Sequence, residues 1–293
     1  MLKINLGWCE FGYFIGDGLW LPSVLHNAGK KVRVTTRIPF PEEWILKWVD
    51  EYDLLHELPR HIEGYMNKRR EFIVNYIWKD KQVYDNSLYN DEHLKPLYLP
   101  KLERPIKEKY IVLIPTVWEF MIEVNKWDKN DYRIWKESRL IHSLSLSAWV
   151  EIANRMRKKG YKVVCFGDSD GLTKEMIEKI GDINFYIAEY DRRNFLIEQL
   201  KWLQNAEMNV AFGGAFIMCA VFDHVPAIGY DGDWYKWYSP FRKGLIKNKE
   251  KKLCFLDCWN SNLYPYSVKY KDFDHILYDF GKYVIEQTEN FVT

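Results

Sequence analysis

The fold of this chain is decided by the stretch Gly16-Asp17-Gly18-Leu19-Trp20-Leu21-Pro22-Ser23-Val24-Leu25. An apolar segment, Leu2–Leu6, precedes it, and an amphipathic segment ending at Ala28-Gly29 leads from it to a second apolar segment, Val32–Thr36. This order predicts a strand–turn–helix–strand unit with the carboxylate of Asp17 at the turn. Ligands of such units bind outside the carboxyl ends of the strands, beside helix N-termini. We therefore expect Asp17 to contact a substrate.

The remainder of the chain continues this alternation of strands and helices. In the first half, Pro41-Glu42-Glu43 opens a helix and residues 54–56 form a third short strand. The apolar face of that helix consists of Trp44, Ile45, Trp48 and Val49. In the second half, six strands are predicted over 110–114, 162–166, 183–187, 208–212, 226–230 and 252–256. Helices are predicted over 145–159, over 172–180 and around Leu196, Leu200 and Leu203. Such alternation predicts parallel sheets.

The organisation of the chain follows from a polar, Pro-containing stretch over 79–108, which separates the two halves. The fold class is therefore α/β, with two Rossmann-like domains facing a central cleft. We expect an N-terminal domain over 1–105 and a C-terminal domain over 106–270. Residues 271–293 form a C-terminal helix that can pack back on the N-terminal domain.

The composition excludes several classes of protein. Among 293 residues, 42 Lys and Arg balance 41 Asp and Glu, which argues against a general electrostatic nucleic-acid binder. The odd number of scattered cysteines indicates buried free thiols in a reducing compartment, without a zinc site: Cys9, Cys165, Cys219, Cys254 and Cys258. No signal-peptide pattern follows Met1, and no apolar run is long enough to span a membrane. We expect a cytoplasmic protein.

Asp17 has two interpretations. It can act as a general base that takes a proton from an acceptor hydroxyl. It can also cap its own helix or lie in the first turn, where an acid stabilises the helix by roughly 1 kcal/mol. Position alone does not separate the two.

Two glycine-containing turns follow strands of the second half. Gly213-Gly214 precedes an apolar helix, whose N-terminus attracts anions; glycines there also suit a tight turn with positive φ. Gly167-Asp168-Ser169-Asp170-Gly171 matches the GxSxG of a nucleophile elbow. The acids beside Ser169 oppose its ionisation, however, and can instead cap the next helix, bind ribose hydroxyls or hold a metal.

Two further groups of polar residues are candidates for binding phosphate. Thr116 follows a strand, and with Lys126 and Lys129 it can hold a diphosphate. The segment Asp191-Arg192-Arg193 precedes a helix and either faces a phosphate or lies on the surface. The sequence contains no P-loop, no HExxH and no GxGxxG after its first strand, which disfavours NTPases, zinc proteases and standard dehydrogenases.

The order of these segments resembles that of the heptosyltransferase-like glycosyltransferases. Their N-terminal signature is similar to Gly16-Asp17 followed by Leu21-Pro22. Later matches are a Trp-containing helix with a glycine stop, a strand ending in Phe-Gly, and the segments that flank the nucleotide-binding turn: Trp149 to Gly160, Lys162 to Gly167, Asn205-Ala206 and Val225-Pro226. The resemblance covers most of the chain in order, through short motifs.

The resemblance implies a GT-B fold and an inverting, metal-independent transfer from a nucleotide-diphosphate sugar, with no cofactor. It assigns acceptor binding to the N-terminal domain and binding of the nucleotide sugar to the C-terminal domain. It places Asp17 as the catalytic base and Gly16 and Trp20 at the acceptor. The donor-binding residues that it implies are Thr116, Asp168, Gly213, Gly214, Ala215 and Phe216. One departure is visible: the family has Asp-Thr-Gly and a His where residues 213–218 of this chain carry neither acid nor His. Heptose as the donor sugar is therefore not supported.

Several functions follow from these observations. The first is a glycosyltransferase that uses a nucleotide sugar and a sugar or glycan acceptor. A second is sugar transfer onto a modified DNA base, suggested by the aromatic and basic residues over 234–247 and less favoured. A third is a non-catalytic nucleotide- or sugar-binding protein of the same fold, and a serine hydrolase using Ser169 comes last. Fold alone does not decide among them.

Overall fold

The computed structural model describes thirteen ranges of the chain. They are residues 1–6, 19–36, 41–54, 93, 99–117, 144–167, 172–186, 189, 192–212, 225–230, 253–256, 285–286 and 288–289. The described residues divide into two compact units, one up to Lys101 and the other from Leu102 onwards. The roles predicted for the two domains, acceptor binding and donor binding, stay predictions.

The first unit contains a parallel sheet of three strands in the order β1-β2-β3. Its strands are β1 (Leu2–Leu6), β2 (Val32–Thr36) and β3 (Glu51–Leu54), and its helices are α1 (Leu19–Asn27) and α2 (Glu42–Ile45). The strand–helix–strand unit predicted around the opening stretch is confirmed, because β1, α1 and β2 follow one another as expected. Pro22 is the fourth residue of α1.

Two details of this unit differ from the sequence prediction. The helix opened by Pro41 ends at Ile45, so Trp48 and Val49 are buried in the turns beyond it and not on its face. The strand expected over 54–56 is β3, which begins at Glu51. Both shifts have one cause: the chain must turn after Ile45 so that Asp50 can pair with Val32 and start β3 beside β2.

The second unit contains a parallel sheet of six strands in the order β6-β5-β4-β7-β8-β9. The strands are β4 (Tyr110–Ile114), β5 (Lys162–Gly167), β6 (Ile183–Tyr186), β7 (Met208–Phe212), β8 (Ala227–Tyr230) and β9 (Leu253–Leu256). The helices are α3 (Leu146–Lys158), α4 (Lys174–Ile180) and α5 (Arg192–Asn205). All six strands predicted from the sequence are confirmed, with ends shifted by at most one residue. Counted from β4, the strand order is 3-2-1-4-5-6, which is that of a doubly wound dinucleotide-binding sheet.

Side chains from β4, β5 and β7 form the centre of the second unit. Ile111, Leu113 and Val163 pack with Trp149 and Ile177, which come from α3 and α4. The opposite side of β4 carries Tyr110, which is fully buried and contacts Trp202. Because β4 and β5 are buried on both sides, they read as continuous apolar runs in the sequence.

The C-terminal segment contributes to this core through its described residues. Ile285 is buried in the same cluster as α3, and the carboxylate of Glu289 lies 2.6 Å from Arg155 Nη1. Lys159 Nζ donates to the carbonyl of Glu289 over 2.8 Å. These contacts attach the segment to the second unit. The packing of residues 271–293 on the N-terminal domain stays a prediction.

Both sheets use an aspartate in the same way, although the sequence shows no internal repeat. Val32 N–H donates to Asp50 Oδ2 over 2.7 Å, and Asp50 N–H donates to the carbonyl of Val32 over 2.9 Å. In the second unit, Val163 and Asp182 exchange the same two hydrogen bonds over 2.9 and 2.7 Å. In each sheet the aspartate directly precedes one strand and is hydrogen-bonded to the first residues of the neighbouring strand. It thereby sets the register of β2 with β3 and of β5 with β6.

We expect Asp50→Asn to weaken the acid sensitivity of the fold. The Val32 N–H, and after it His26, hold the pKa of Asp50 below its ordinary value. A depressed folded pKa contributes stability above the unfolded pKa of about 4, and that stability is lost as the pH falls through the folded value. The free energy of unfolding, measured with urea from pH 7 to pH 3, should fall less steeply in Asp50→Asn, by up to about 1 kcal/mol.

The variant Asp50→Ala provides the control for this comparison, since it removes the acceptor as well as the charge. It should be less stable than the wild type already at pH 7. An Asp50→Asn protein with the same pH dependence as the wild type would show that the Val32 hydrogen bond does not couple to protonation.

Candidate functional site

The strand order of the second unit fixes where a ligand site is expected. The direction of winding reverses between β4 and β7, which are hydrogen-bonded neighbours at the centre of the sheet. In doubly wound sheets, ligands bind at the carboxyl ends of the strands at this reversal. Ile114 pairs with Ala211 in the register of β4 and β7. The residues that directly follow these two positions therefore form the edge at which a ligand is expected.

Thr116 lies at this edge, two residues beyond the end of β4. Pro115 before it and Val117 after it are buried, whereas Thr116 is half-buried. Its carbonyl accepts two hydrogen bonds, from the backbone N–H of Leu144 over 3.2 Å and from the indole N–H of Trp149 over 3.1 Å. Among the described residues, the Thr116 hydroxyl has no hydrogen-bond partner. The backbone of Thr116 is thus fixed while its hydroxyl remains available.

The N-terminus of α3 begins beside Thr116. Val117 and Leu144 form an isolated parallel bridge, and the helix starts two residues later, at Leu146. Ser145 is the N-cap: its hydroxyl accepts the N–H of Ala148 over 3.2 Å. The first turn of α3 carries no acidic side chain. The positive end of the helix dipole favours an anion at this position.

Gly167, the last residue of β5 and the first glycine of the predicted elbow motif, lies against the helix α4. A Cβ placed on Gly167 would overlap the side chain of Ile177, which packs from α4 and is 1% exposed. The packing of α4 on the sheet therefore accounts for glycine at this position, and the hypothesis of a nucleophile elbow stays untested. Residues 168–171, including Asp168 and Ser169, lie outside the described residues.

The remaining residues predicted for the donor lie mostly outside the described ranges. Gly213, Gly214, Ala215 and Phe216 follow Phe212, the last residue of β7, and are not described. The same holds for Lys126 and Lys129. Arg192 and Arg193 start α5, but their side chains are not described. The structure thus places one of the predicted donor-binding side chains, that of Thr116.

The predicted acceptor residues belong to the connection between β1 and α1. Gly16 and Asp17 lie outside the described residues, and α1 begins at Leu19, two positions after Asp17. The backbone of Trp20 is helical, and its side chain is not described. The structure therefore confirms the strand and the helix that flank Asp17, while its role as a base stays a prediction.

Other polar groups of the described residues have structural roles. In the first unit, Arg33 donates to both carboxylate oxygens of Asp53, over 2.5 and 2.9 Å, and this pair lowers the pKa of Asp53. Cys165 is a buried free thiol, as the sequence predicted, and burial raises its pKa so that it stays protonated. Within the described ranges, no three His, Cys, Asp or Glu side chains are placed to hold a metal ion. No helix in that part of the chain is long and apolar enough to cross a membrane.

The sequence did not predict two of the groups that shape this site. The indole N–H of Trp149 and the backbone N–H of Leu144 both fix Thr116, from residues 33 and 28 positions away. A serine just before the periodic apolar positions of α3 is a sequence signal for an N-cap, and Ser145 fits it. The two bonds to the carbonyl have no such signal, because they depend on how α3 packs against the end of β4.

The strand order defines the second unit as a doubly wound α/β sheet, in which a ligand is expected at the carboxyl ends of β4 and β7. No protein-family model and no curated protein sequence matches the chain. Among solved structures, it is similar to a glycosyl transferase family 9 protein from Veillonella parvula, with a TM-score of 0.55, 13% identity, and coverage of 99% of this chain and 97% of the other.

Two further similar structures come from E. coli. For heptosyltransferase WaaC with ADP, the TM-score is 0.47 at 10% identity, over 99% of both chains. For ADP-heptose lps heptosyltransferase II it is 0.46 at 11% identity, over 95% of this chain and 99% of the other. The likeness to the family 9 glycosyl transferase confirms the predicted fold class, which is α/β and of the GT-B type. The facing of two domains across a central cleft stays a prediction.

Proposed function

We propose that this protein is a glycosyltransferase that moves a sugar from a nucleotide-sugar donor to an acceptor hydroxyl. The observation that carries the proposal is the reversal of strand order in the six-stranded sheet between β4 and β7. Beside it lie the N-terminus of α3 and the hydroxyl of Thr116, which has no hydrogen-bond partner within the described ranges. Such an edge suits a diphosphate. The fold of the family 9 glycosyl transferase supports the same interpretation.

The donor is held, in this proposal, by residues that follow three strands of the second unit. Thr116 follows β4, Asp168 follows β5, and residues 213–216 follow β7. The Thr116 hydroxyl donates to a phosphate oxygen, and Asp168 accepts from ribose hydroxyls. Gly213, Gly214, Ala215 and Phe216 contribute backbone N–H groups to the diphosphate. Fixed donors and the helix end then stabilise the charge that develops on the leaving diphosphate, without a metal ion.

The acceptor is activated by Asp17, with Gly16 and Trp20 beside it. The Asp17 carboxylate takes the proton of the acceptor hydroxyl while the oxygen attacks the anomeric carbon of the sugar. The bond from that carbon to the phosphate oxygen breaks, the nucleoside diphosphate leaves with the electron pair, and the anomeric configuration inverts. The transferred sugar is a hexose or a heptose, and residues 213–218 give no support to heptose in particular. The reaction takes place in the cytoplasm.

A non-catalytic nucleotide- or sugar-binding protein is the second candidate. The observation that favours it is that residues 213–218 contain neither an acid nor a His. The heptosyltransferase-like glycosyltransferases have both at the corresponding turn. Binding of a nucleoside diphosphate together with the absence of hydrolysis and transfer would support this candidate over a transferase.

The test begins with thermal stability in the presence of nucleoside diphosphates and nucleotide sugars. A ligand at 100 times its dissociation constant stabilises the folded state by about 2.7 kcal/mol, which is a measurable shift in melting temperature. The binding constant of the strongest ligand is then measured by titration calorimetry. If none of the compounds shifts the melting temperature, the proposed function is wrong.

We expect Thr116→Val to weaken the binding of a nucleoside diphosphate by about tenfold or more, because a hydrogen bond to a charged group contributes about 1.5–3 kcal/mol. Valine keeps the shape of threonine, and Thr116→Ser serves as the control that retains the hydroxyl. Calorimetric titration of both variants checks the result. Equal affinities for Thr116→Val and the wild type would remove Thr116 from the donor site.

A further inference from the structure

We propose that Trp149 is a positioning residue for the donor: its indole N–H fixes the Thr116 backbone and thereby places the Thr116 hydroxyl against the diphosphate. This inference rests on the proposed function. It concerns a side chain that is fully buried and therefore contacts no ligand itself.

The geometry of α3 explains how Trp149 reaches the end of β4. Trp149 is the fourth residue of the helix, and helical side chains lean towards the N-terminus of their helix. The indole therefore lies over the first turn, next to the chain that leaves β4. Its N–H donates to the carbonyl of Thr116 over 3.1 Å. A buried indole N–H requires such a partner, so the bond fixes the ring as well as the carbonyl.

The carbonyl of Thr116 is held from two directions. Leu144 N–H occupies one of its lone pairs over 3.2 Å, and Trp149 occupies the other. Leu144 and Val117 also pair as an isolated bridge, so the chain leaves and returns beside Thr116. With the carbonyl fixed twice and Pro115 buried before it, rotation of this peptide unit is suppressed. The hydroxyl on the same residue is thus pre-organised for a phosphate oxygen.

The second unit offers a matched control in Trp202. This residue is 5% exposed and its indole N–H donates to Glu198 Oε1 over 2.7 Å. Trp202→Phe therefore also removes an indole hydrogen bond from a buried tryptophan of the same unit, in this case one to a carboxylate. Its acceptor lies within α5 and has no bond to Thr116. A general loss of stability should affect both variants, whereas a loss of donor positioning should affect Trp149→Phe alone.

The experiment is a double-mutant cycle on nucleoside diphosphate binding. ADP, GDP, UDP and CDP are titrated into the wild type, and the strongest of them is used for all variants. Trp149→Phe should raise its dissociation constant by about three- to tenfold, as expected for the loss of one neutral hydrogen bond, while Trp202→Phe stays within about twofold. In the Thr116→Val background, Trp149→Phe should have no further effect beyond about twofold, because the hydroxyl that it positions is already absent.

A second variant separates the hydrogen bond from the packing of the ring. Incorporation of 3-benzothienylalanine at position 149 replaces the indole N–H by sulfur and keeps the size and shape of the side chain. It should reproduce the weakened binding of Trp149→Phe with a smaller loss of melting temperature. In the transfer assay, both replacements should raise KM for the donor more than they lower kcat.

The outcomes distinguish this inference from the proposed function. If the wild type binds none of the four diphosphates, the proposed function fails and the inference fails with it. If the wild type binds but Trp149→Phe and the benzothienyl variant bind equally well, the inference alone is wrong. It is also wrong if the effect of Trp149→Phe is the same with and without Thr116→Val, since Trp149 would then act independently of the hydroxyl.

Discussion

Asp17→Asn is expected to lower kcat for sugar transfer by about 10²–10⁴-fold, the usual contribution of a positioned general base. The attacking oxygen is a sugar hydroxyl that stays protonated at neutral pH. Without a carboxylate to take its proton, the oxygen must attack while still carrying it. The binding of the nucleotide donor should be unchanged, because the residues proposed for it follow the strands of the second unit.

The choice of asparagine separates catalysis from helix capping. Asp17 lies two positions before the start of α1, and no acidic residue lies in the first turn of that helix. Where aspartate caps a helix, asparagine replaces it at equal stability and alanine costs about 1 kcal/mol. Asp17→Asn should therefore melt like the wild type with either role of Asp17, and a lower melting temperature of Asp17→Ala would identify a contribution to the helix.

Three measurements are needed on each protein: transfer to the acceptor, melting temperature, and titration with the nucleoside diphosphate. Near wild-type turnover in Asp17→Asn would exclude Asp17 as the base. Loss of turnover with an unchanged dissociation constant would assign it to the chemical step.

The strands of the second unit could be predicted from the sequence because their environment is simple. Tyr110 to Ile114 is buried on both faces and reads as one apolar run. The strand β3 could not be placed in the same way, since Glu51 and Asp53 alternate with larger residues and are paired with Arg33 across the sheet. Its position depends on the hydrogen bonds between Asp50 and Val32, which join residues 18 positions apart.

The position of the candidate site could be predicted from the sequence, but the hydrogen bonds and the strand neighbours that shape it could not. The carboxyl ends of parallel strands lie at one edge, so a hydroxyl after a strand is placed there by topology alone. Thr116 could be selected on this basis. The reversal of the strand order between β4 and β7 is a tertiary property, and so is the bond from Trp149 to the Thr116 carbonyl. Periodicity identified Trp149 as a core residue and carried no information on where its N–H points.

Tyr110→Ala is expected to destabilise the protein by about 3–5 kcal/mol, as for other large aromatic residues removed from a core. Tyr110 is fully buried in the central strand β4. Its ring packs edge-on against Trp202 with centroids 5.1 Å apart, and its hydroxyl donates to the carbonyl of Trp202 over 3.0 Å. Truncation removes these contacts and opens a cavity between β4 and α5. The cavity lies against β4, the strand that leads to Thr116.

Tyr110→Phe isolates the hydroxyl from the ring and should cost only about 1–2 kcal/mol, because one buried acceptor loses its donor while the packing is retained. Burial raises the pKa of Tyr110, so its hydroxyl stays protonated in the folded state when tyrosines of the unfolded chain ionise. The stability linked to this group is therefore complete below pH 10 and is lost as the pH rises towards the folded pKa. Urea unfolding at pH 7 and pH 10.5 measures both effects, and the difference between wild type and Tyr110→Phe should shrink at the higher pH. Equal losses for the alanine and phenylalanine variants would mean that the hydroxyl, and not the ring, joins β4 to α5.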